Sequence, residues 1–129
     1  MFRFLDKAHR KDIPHGDDGW AEITRRANLP EVTVQWTSNN VDNVRLVDVR
    51  EPSELVSALG KIEDVENVPL RQLTAQIADW DRNQPIIVLC RSGGRSGQAA
   101  LVMEKMGFQK VASMAGGMLE WNAHKLPLG

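Results

Sequence analysis

The sequence predicts an α/β domain in which a parallel sheet is flanked by helices. Short apolar runs rich in β-branched residues alternate along the chain with segments in which apolar residues recur at helical spacing. The run Ile86–Leu89 is apolar at every position and too short for a helix, so it predicts a buried strand. A loop and then a helical pattern follow this strand directly, which is where α/β sheets usually present functional groups.

Composition limits the classes of protein to which the chain can belong. Its 129 residues suffice for one domain with a hydrophobic core, and a formal net charge of -1 disfavours nucleic acids and anionic membranes as partners. A single cysteine excludes an internal disulfide and fits a reducing compartment. No apolar run reaches membrane-spanning length, and charges interrupt the first residues too early for a secretory signal. We therefore expect a cytoplasmic protein that binds neither nucleic acid nor membranes.

The loop after the predicted strand begins with the single cysteine, Cys90. Its backbone N–H groups are expected to point at the cysteine sulfur, at the positive end of a helix predicted over 97–106. Arg91 and Arg95 add two permanent positive charges. Because these groups favour thiolate over thiol, Cys90 is the candidate nucleophile, although a lone cysteine is more often an inert core residue. The candidate binding residues follow it directly: Arg91, Ser92, Gly93, Gly94, Arg95 and Ser96.

The segment from Cys90 to Ser96 resembles the active loop of the rhodanese family of sulfurtransferases, which commonly reads Cys-Arg-Ser-Gly-x-Arg-Ser. Two further segments carry the resemblance. One is Asp48-Val49-Arg50-Glu51, and the other is Gly116-Gly117 with a tryptophan after three more residues and Leu-Pro beyond it. Together they extend the resemblance over residues 32–128 and imply a rhodanese-like fold.

The resemblance also implies a two-step reaction. The Cys90 thiolate takes sulfur from a small anionic donor such as thiosulfate and becomes a persulfide, and then a thiol, cyanide or a partner protein accepts that sulfur. Residues 91–96 would bind the donor, while Asp48 and Arg50 would brace the loop. Asp48 lies among apolar residues and needs a partner there in any case. The resemblance implies no cofactor and no metal ion.

Two alternatives remain open. Cysteine phosphatases and arsenate reductases use a similar thiolate loop; the phosphatase pattern has one residue more, Cys-x5-Arg, whereas four residues separate Cys90 from Arg95. A non-enzymatic interaction module, or a carrier that accepts persulfide sulfur from one partner only, would keep the same loop.

Outside the loop, the pattern divides the chain into an N-terminal arm with a short helix or linker, residues 1–30, and a rhodanese-like domain, residues 31–129. Residues 1–19 show no core pattern, and residues 20–29 predict one short amphipathic helix that Pro30 ends. His124 is predicted to lie at the surface, and Met114 and Met118 to fill the core. The remaining predicted elements are strands over 31–34, 46–50 and 110–114, and helices over 35–38, from 51, over 70–80 and over 118–124.

Overall fold

The computed structural model describes Trp20 and residues 23–129, so the predicted arm over residues 1–19 lies outside the described residues. The strands of the described part are β1 (Thr24–Arg26), β2 (Leu29–Val32), β3 (Arg45–Asp48), β4 (Glu66–Asn67), β5 (Ile86–Leu89) and β6 (Val111–Met114). Its helices are α1 (Val34–Asn39), α2 (Pro52–Leu55), α3 (Leu73–Gln76), α4 (Gly94–Lys105) and α5 (Gly117–Ala123), with a 3-10 turn at Leu70–Gln72 before α3. None of these helices is both long enough and apolar enough to cross a membrane.

The described strands form one sheet in the order β1-β2-β6-β5-β3-β4. Neighbouring strands are parallel except for β1 and β2, which form an antiparallel hairpin at one edge. The strand β5 lies between β6 and β3, and all four of its side chains are completely buried. The structure therefore confirms the predicted α/β class and places the strand that precedes Cys90 inside the sheet.

Successive residues of β5 point to opposite faces of the sheet, and this alternation decides where Cys90 lies. Ile87 and Leu89 belong to a core cluster that contains Trp36 of α1 and Trp121 of α5. Ile86, Val88 and Cys90 belong to a second cluster on the other face, together with Ala99, Ala100 and Met103 of α4. The cysteine is thus turned toward the helix that follows it in sequence. Met114 and Met118 are fully buried in the first cluster.

The helix predicted over residues 20–29 is wrong for its described second half. Thr24–Arg26 pairs with Leu29–Val32, and Pro30 lies inside β2 opposite Arg25. Ala27 and Asn28, with φ angles of 53° and 68°, form the two-residue turn, and such a turn suits the twist of an antiparallel hairpin. Proline is tolerated in a short strand near the sheet edge, so it did not end an element here. The division of the chain into residues 1–30 and 31–129 stays a prediction.

The single helix predicted over residues 70–80 is shorter in the structure. It comprises the 3-10 turn and α3, which ends at Gln76. Leu73 and Ile77 are buried as their spacing predicts, but the ring of Trp80 lies under the guanidinium of Arg45, 3.3 Å from its Cζ. The cation–π contact with Arg45 stabilises this position of the Trp80 ring, which lies beyond the end of α3.

Candidate active site

Cys90 follows β5 at its carboxyl end, and α4 begins four residues later at Gly94. This start is three residues earlier than predicted, so Gly94, Arg95 and Ser96 form the first helical turn instead of the loop. Gly93 caps the helix with φ 110°, a left-handed conformation that glycine adopts without strain. The tight turn brings the first backbone N–H groups of α4 back toward the cysteine.

The sulfur of Cys90 lies among hydrogen-bond donors. It accepts hydrogen bonds from the backbone N–H of Gly93 at 3.1 Å and of Ser96 at 3.4 Å, and the Ser96 hydroxyl oxygen lies 3.5 Å away. That hydroxyl also lies 2.7 Å from the hydroxyl of Ser113 on β6. Burial raises the pKa of the Cys90 thiol, but hydrogen bonds from the Ser96 hydroxyl and from the amides of Ser96, Gly93 and Ser92 outweigh it. The net effect is a lowered pKa, which favours the nucleophilic thiolate.

The first turn of α5 packs directly on the backbone of the loop. The N–H of Met118 donates a hydrogen bond of 2.9 Å to the carbonyl of Cys90. Gly117 has a φ of 57°, and a Cβ there would stand 2.5 Å from the Cys90 carbonyl oxygen and 2.6 Å from that of Arg91. Only glycine permits this approach. The sequence marked Gly116 and Gly117 as a turn and a family feature, but it did not show that Gly117 contacts the cysteine loop.

Asp48 and Arg50 form a buried ion pair at the carboxyl end of β3. The carboxylate accepts hydrogen bonds from Arg50 Nη2 at 2.7 Å and from its Nε at 3.0 Å, and both side chains are almost fully buried. The same guanidinium donates to the carbonyls of Glu54 at 3.1 Å and of Gly60 at 2.8 Å. The partner that Asp48 required is therefore Arg50. Through the carbonyls of Glu54 and Gly60, Arg50 also fixes α2 and the segment that follows it.

Arg95 is bound to Glu54, a residue that the sequence indicated only as an acid near the start of a helix. Arg95 Nη1 and Nη2 donate to the two carboxylate oxygens of Glu54 at 2.7 and 2.9 Å. The hydrogen bonds from Arg95 hold the pKa of Glu54 at about 2 although partial burial opposes this. Arg91, in contrast, is exposed, and its side chain makes no hydrogen bond or ion pair with the residues that the structure describes.

Other candidate groups lie away from the cysteine. His124 is at the surface, as predicted, 2.9 Å from the carboxylate of Glu120 and 3.0 Å from the amide of Gln35. Over Trp20 and residues 23–129, no three His, Cys, Asp or Glu side chains lie close enough together to hold a metal ion. The hydrogen bonds described above, in contrast, converge on the sulfur of Cys90.

Comparison with known proteins identifies the family and the fold of the chain. The family model of the rhodanese-like domain matches residues 33–124. The chain belongs to the rhodanese-like family. It is 32% identical over 89 residues to a sulfurtransferase of Allochromatium vinosum, a match that covers 69% of this chain and 81% of that protein. A putative sulfur carrier protein of Bacillus subtilis, YrkF, is 33% identical over 98 residues; the match covers 74% of this chain but only 52% of the relative.

Solved structures resemble most of this rhodanese-like chain. A rhodanese-related protein of Thermoplasma volcanium superposes with a TM-score of 0.69 at 26% identity, covering 75% of this chain and 94% of that one. A Rhodopseudomonas palustris protein described as a possible tyrosine phosphatase has a TM-score of 0.72 at 23% identity, covering 80% and 86%, which is a likeness of fold alone. The family and the names of its relatives support sulfur transfer as the general activity.

Proposed function

We propose that this protein is a sulfurtransferase in which Cys90 carries the transferred sulfur as a persulfide. The observation that carries the proposal is the hydrogen bonding of its sulfur by the amides of Gly93 and Ser96 at the start of α4. These donors stabilise negative charge on sulfur both before the reaction and after it. They form part of the protein backbone and are already in position, so no separate base or metal ion is needed to ionise the thiol.

The reaction has two displacement steps. The Cys90 thiolate attacks the outer sulfur of thiosulfate, the bond between the two sulfur atoms of the donor breaks, and sulfite leaves with the electron pair. The thiolate of an acceptor, or cyanide, then attacks the outer sulfur of the persulfide. The new S–S bond breaks, and Cys90 departs as a thiolate that the same amides stabilise.

Arg91 is the stronger of the two candidates for attracting the anionic donor. Arg95 shares its charge with Glu54, whereas Arg91 is exposed and makes no ion pair with any described residue. A free guanidinium binds an oxyanion through charge-assisted hydrogen bonds. Replacing Arg91 with glutamine should therefore raise the KM for thiosulfate more than replacement of the exposed Arg71, which is already bound to Glu51.

The mass of the intact protein after incubation with thiosulfate tests the proposal. The wild type should gain one sulfur atom, and Cys90→Ser should gain none while keeping its circular dichroism spectrum, because an alcohol cannot form a persulfide. The wild type should also fail to hydrolyse p-nitrophenyl phosphate. If the protein instead hydrolyses that ester in a Cys90-dependent way and takes up no sulfur from thiosulfate, it is a phosphatase and the proposed sulfurtransferase function is refuted.

A carrier that exchanges sulfur with a single protein partner is the second candidate. The ion pair of Arg95 with Glu54 favours it, because the pair leaves less free positive charge for a small anionic donor. The sulfur carrier name of the Bacillus relative agrees with this role. A carrier would accept sulfur from polysulfide or a persulfidated protein yet show little multiple turnover with thiosulfate and cyanide.

A further inference from the structure

A cleft of about 440 Å³ lies between the β1–β2 hairpin and α4, and the cysteine loop forms one end of it. Its volume is within the range of about 300–1,000 Å³ that small-molecule sites occupy. The hairpin wall comes from residues 24–32, which precede the region matched by the rhodanese-like family model, residues 33–124. The cleft is therefore built partly from a segment that the family model does not include.

The hairpin is fixed against the helix by two kinds of contact. Arg25 donates to both carboxylate oxygens of Glu104 on α4, each at 3.0 Å. Leu29 packs so close to α4 that a Cβ on Gly97 would lie 3.1 Å from its Cδ2. Glycine at position 97 thus allows the hairpin to approach the helix and sets the width of the cleft.

The lining changes in character along the cleft. Gly93, whose N–H bonds to the Cys90 sulfur at 3.1 Å, lies at the loop end. Leu29 and the partly exposed Leu101 supply apolar walls, and Arg26 and Glu31 come from the hairpin. Two nitrogens of Arg26, Nε and Nη2, bond to Glu31 at 2.9 Å each, while Nη1 makes no such bond with the described residues.

The exposures of this ion pair determine which charge a ligand meets. The side chain of Arg26 is 75% exposed, whereas that of Glu31 is only 10% exposed. A molecule in the cleft therefore reaches the guanidinium and its unused nitrogen more easily than the carboxylate. Because a guanidinium pairs well with carboxylates and other oxyanions, this wall favours an anionic group over a cationic one.

We propose that this cleft binds the sulfur acceptor and that the acceptor is a low-molecular-weight thiol bearing a carboxylate. The proposal rests on the sulfurtransferase function proposed above. The carboxylate pairs with Arg26, the carbon chain lies along Leu29 and Leu101, and the thiol reaches the loop. Its thiolate attacks the outer sulfur of the Cys90 persulfide, the S–S bond breaks, and Cys90 leaves as a thiolate while the acceptor departs as a persulfide.

Direct binding tests the site without any sulfur transfer. The probe is methylthiopropionate, an unreactive thioether carboxylate, added to Cys90→Ser protein and followed by NMR of the leucine methyl groups. The signals of Leu29 and Leu101 should shift. Arg26→Gln should weaken binding about fivefold and Glu31→Gln should strengthen it, because one exposed charge pair is worth up to about a factor of five. For the cationic analogue methylthioethylamine the effects should be reversed: Arg26→Gln should strengthen its binding and Glu31→Gln should weaken it.

The discharge of the persulfide tests the role of the site in catalysis. Protein preloaded with sulfur is mixed with mercaptopropionate, cysteamine or cyanide. Leu101→Trp, which narrows the cleft, should slow discharge to mercaptopropionate severalfold more than discharge to cyanide. Leu128→Trp is the matched control, since Leu128 is 45% exposed compared with 37% for Leu101 and does not line the cleft.

Failure of this proposal and failure of the proposed function give different results. If the wild type forms a persulfide but all variants discharge it alike, or if the probe shifts no cleft signal, the acceptor site is refuted and the sulfurtransferase stands. If the wild type takes up no sulfur, the sulfurtransferase falls, and the NMR titration alone then decides whether the cleft binds a carboxylate.

Discussion

The guanidinium of Arg95 donates two hydrogen bonds, of 2.7 and 2.9 Å, to the carboxylate of Glu54, which lies 41 residues earlier in the sequence. This pair joins the start of α2 to the first turn of α4, one residue away from the Ser96 amide that bonds to the cysteine sulfur. Glu54 is in turn held by its own carbonyl, which accepts a hydrogen bond from the buried Arg50. A continuous series of contacts thus runs from the buried Asp48 to the loop of Cys90.

Glu54→Gln should destabilise the protein in a pH-dependent way. The pKa of Glu54 falls on folding from an ordinary 4.5 to about 2. Its charge therefore contributes stability that is fully present above pH 4.5 and is lost as the pH falls through about 2. We expect the variant to be about 1 kcal/mol less stable than the wild type near neutral pH, because the pair is partly exposed.

Urea denaturation at a series of pH values measures this difference, which should shrink toward zero as the solution is acidified. Glu63→Gln serves as the control, since Glu63 is exposed and bound to no cation among the described residues, so it reports the loss of one surface charge. A stability difference for Glu54→Gln that does not change with pH would show that the ion pair with Arg95 contributes nothing.

Ser96→Ala should raise the pKa of Cys90. The substitution removes a hydroxyl 3.5 Å from the sulfur but keeps the backbone N–H of residue 96, which lies 3.4 Å away. With one donor fewer, the thiolate is less favoured, and the rate of alkylation by iodoacetamide should reach its plateau at a higher pH than in the wild type. Ser53→Ala, at an exposed position of α2, should leave the profile unchanged. If Ser96→Ala and the wild type show the same dependence of alkylation rate on pH, the Ser96 hydroxyl does not contribute to the lowered pKa of Cys90.

The features that the sequence predicts correctly are those determined by neighbouring residues. The apolar run of β5, the cysteine after it and the following helical spacing lie within twenty residues of one another, and the alternation of β5 side chains follows from strand geometry. The helix start was misplaced by three residues because glycine has a low helix propensity, so Gly94 favoured a loop. The structure instead places Gly94 at the first position of α4.

The missed features depend on contacts between distant segments. Glu54 and Arg95 show no mutual pattern in the sequence, and neither do Gly117 and Cys90, because each pair is brought together only by the order of the strands. The β1–β2 hairpin was missed for a local reason. Its turn residues are Ala27 and Asn28, not the Asn-Gly that usually marks such a turn, and the side chains of its first strand, β1, are all exposed.

Asp48→Asn should cost much more stability than the loss of a surface ion pair. The amide has nearly the same shape, but it leaves the positive charge of the almost fully buried Arg50 without compensation. Breaking a buried pair in this way typically costs about 3–5 kcal/mol. Arg71→Gln is the comparison, since it breaks an exposed pair with Glu51 and should cost no more than about 1 kcal/mol. Similar urea midpoints for the two variants would mean that Arg50 finds other compensation when Asp48 is neutralised.

Gly117→Ala should displace the cysteine loop. Gly107→Ala is the control, because it introduces backbone strain at a positive φ angle without a contact with the loop. Both glycines have positive φ angles, of 57° and 100°. A Cβ at Gly107 would meet nothing closer than 3.8 Å, so its replacement should cost about 1 kcal/mol of stability from strain alone. A Cβ at Gly117 would collide with the carbonyl of Cys90 at 2.5 Å, which forces the loop and α5 apart.

The measured quantities are the urea midpoint and the rate of Cys90 alkylation at neutral pH, both on the purified variants. Gly117→Ala should lower both, because displacement of the Cys90 carbonyl breaks its hydrogen bond with Met118 and moves the sulfur away from the amides of Gly93 and Ser96. Gly107→Ala should lower the midpoint while Cys90 keeps its wild-type alkylation rate. If Gly117→Ala instead retains full thiol reactivity, the contact of α5 with the loop stabilises the fold without positioning the sulfur.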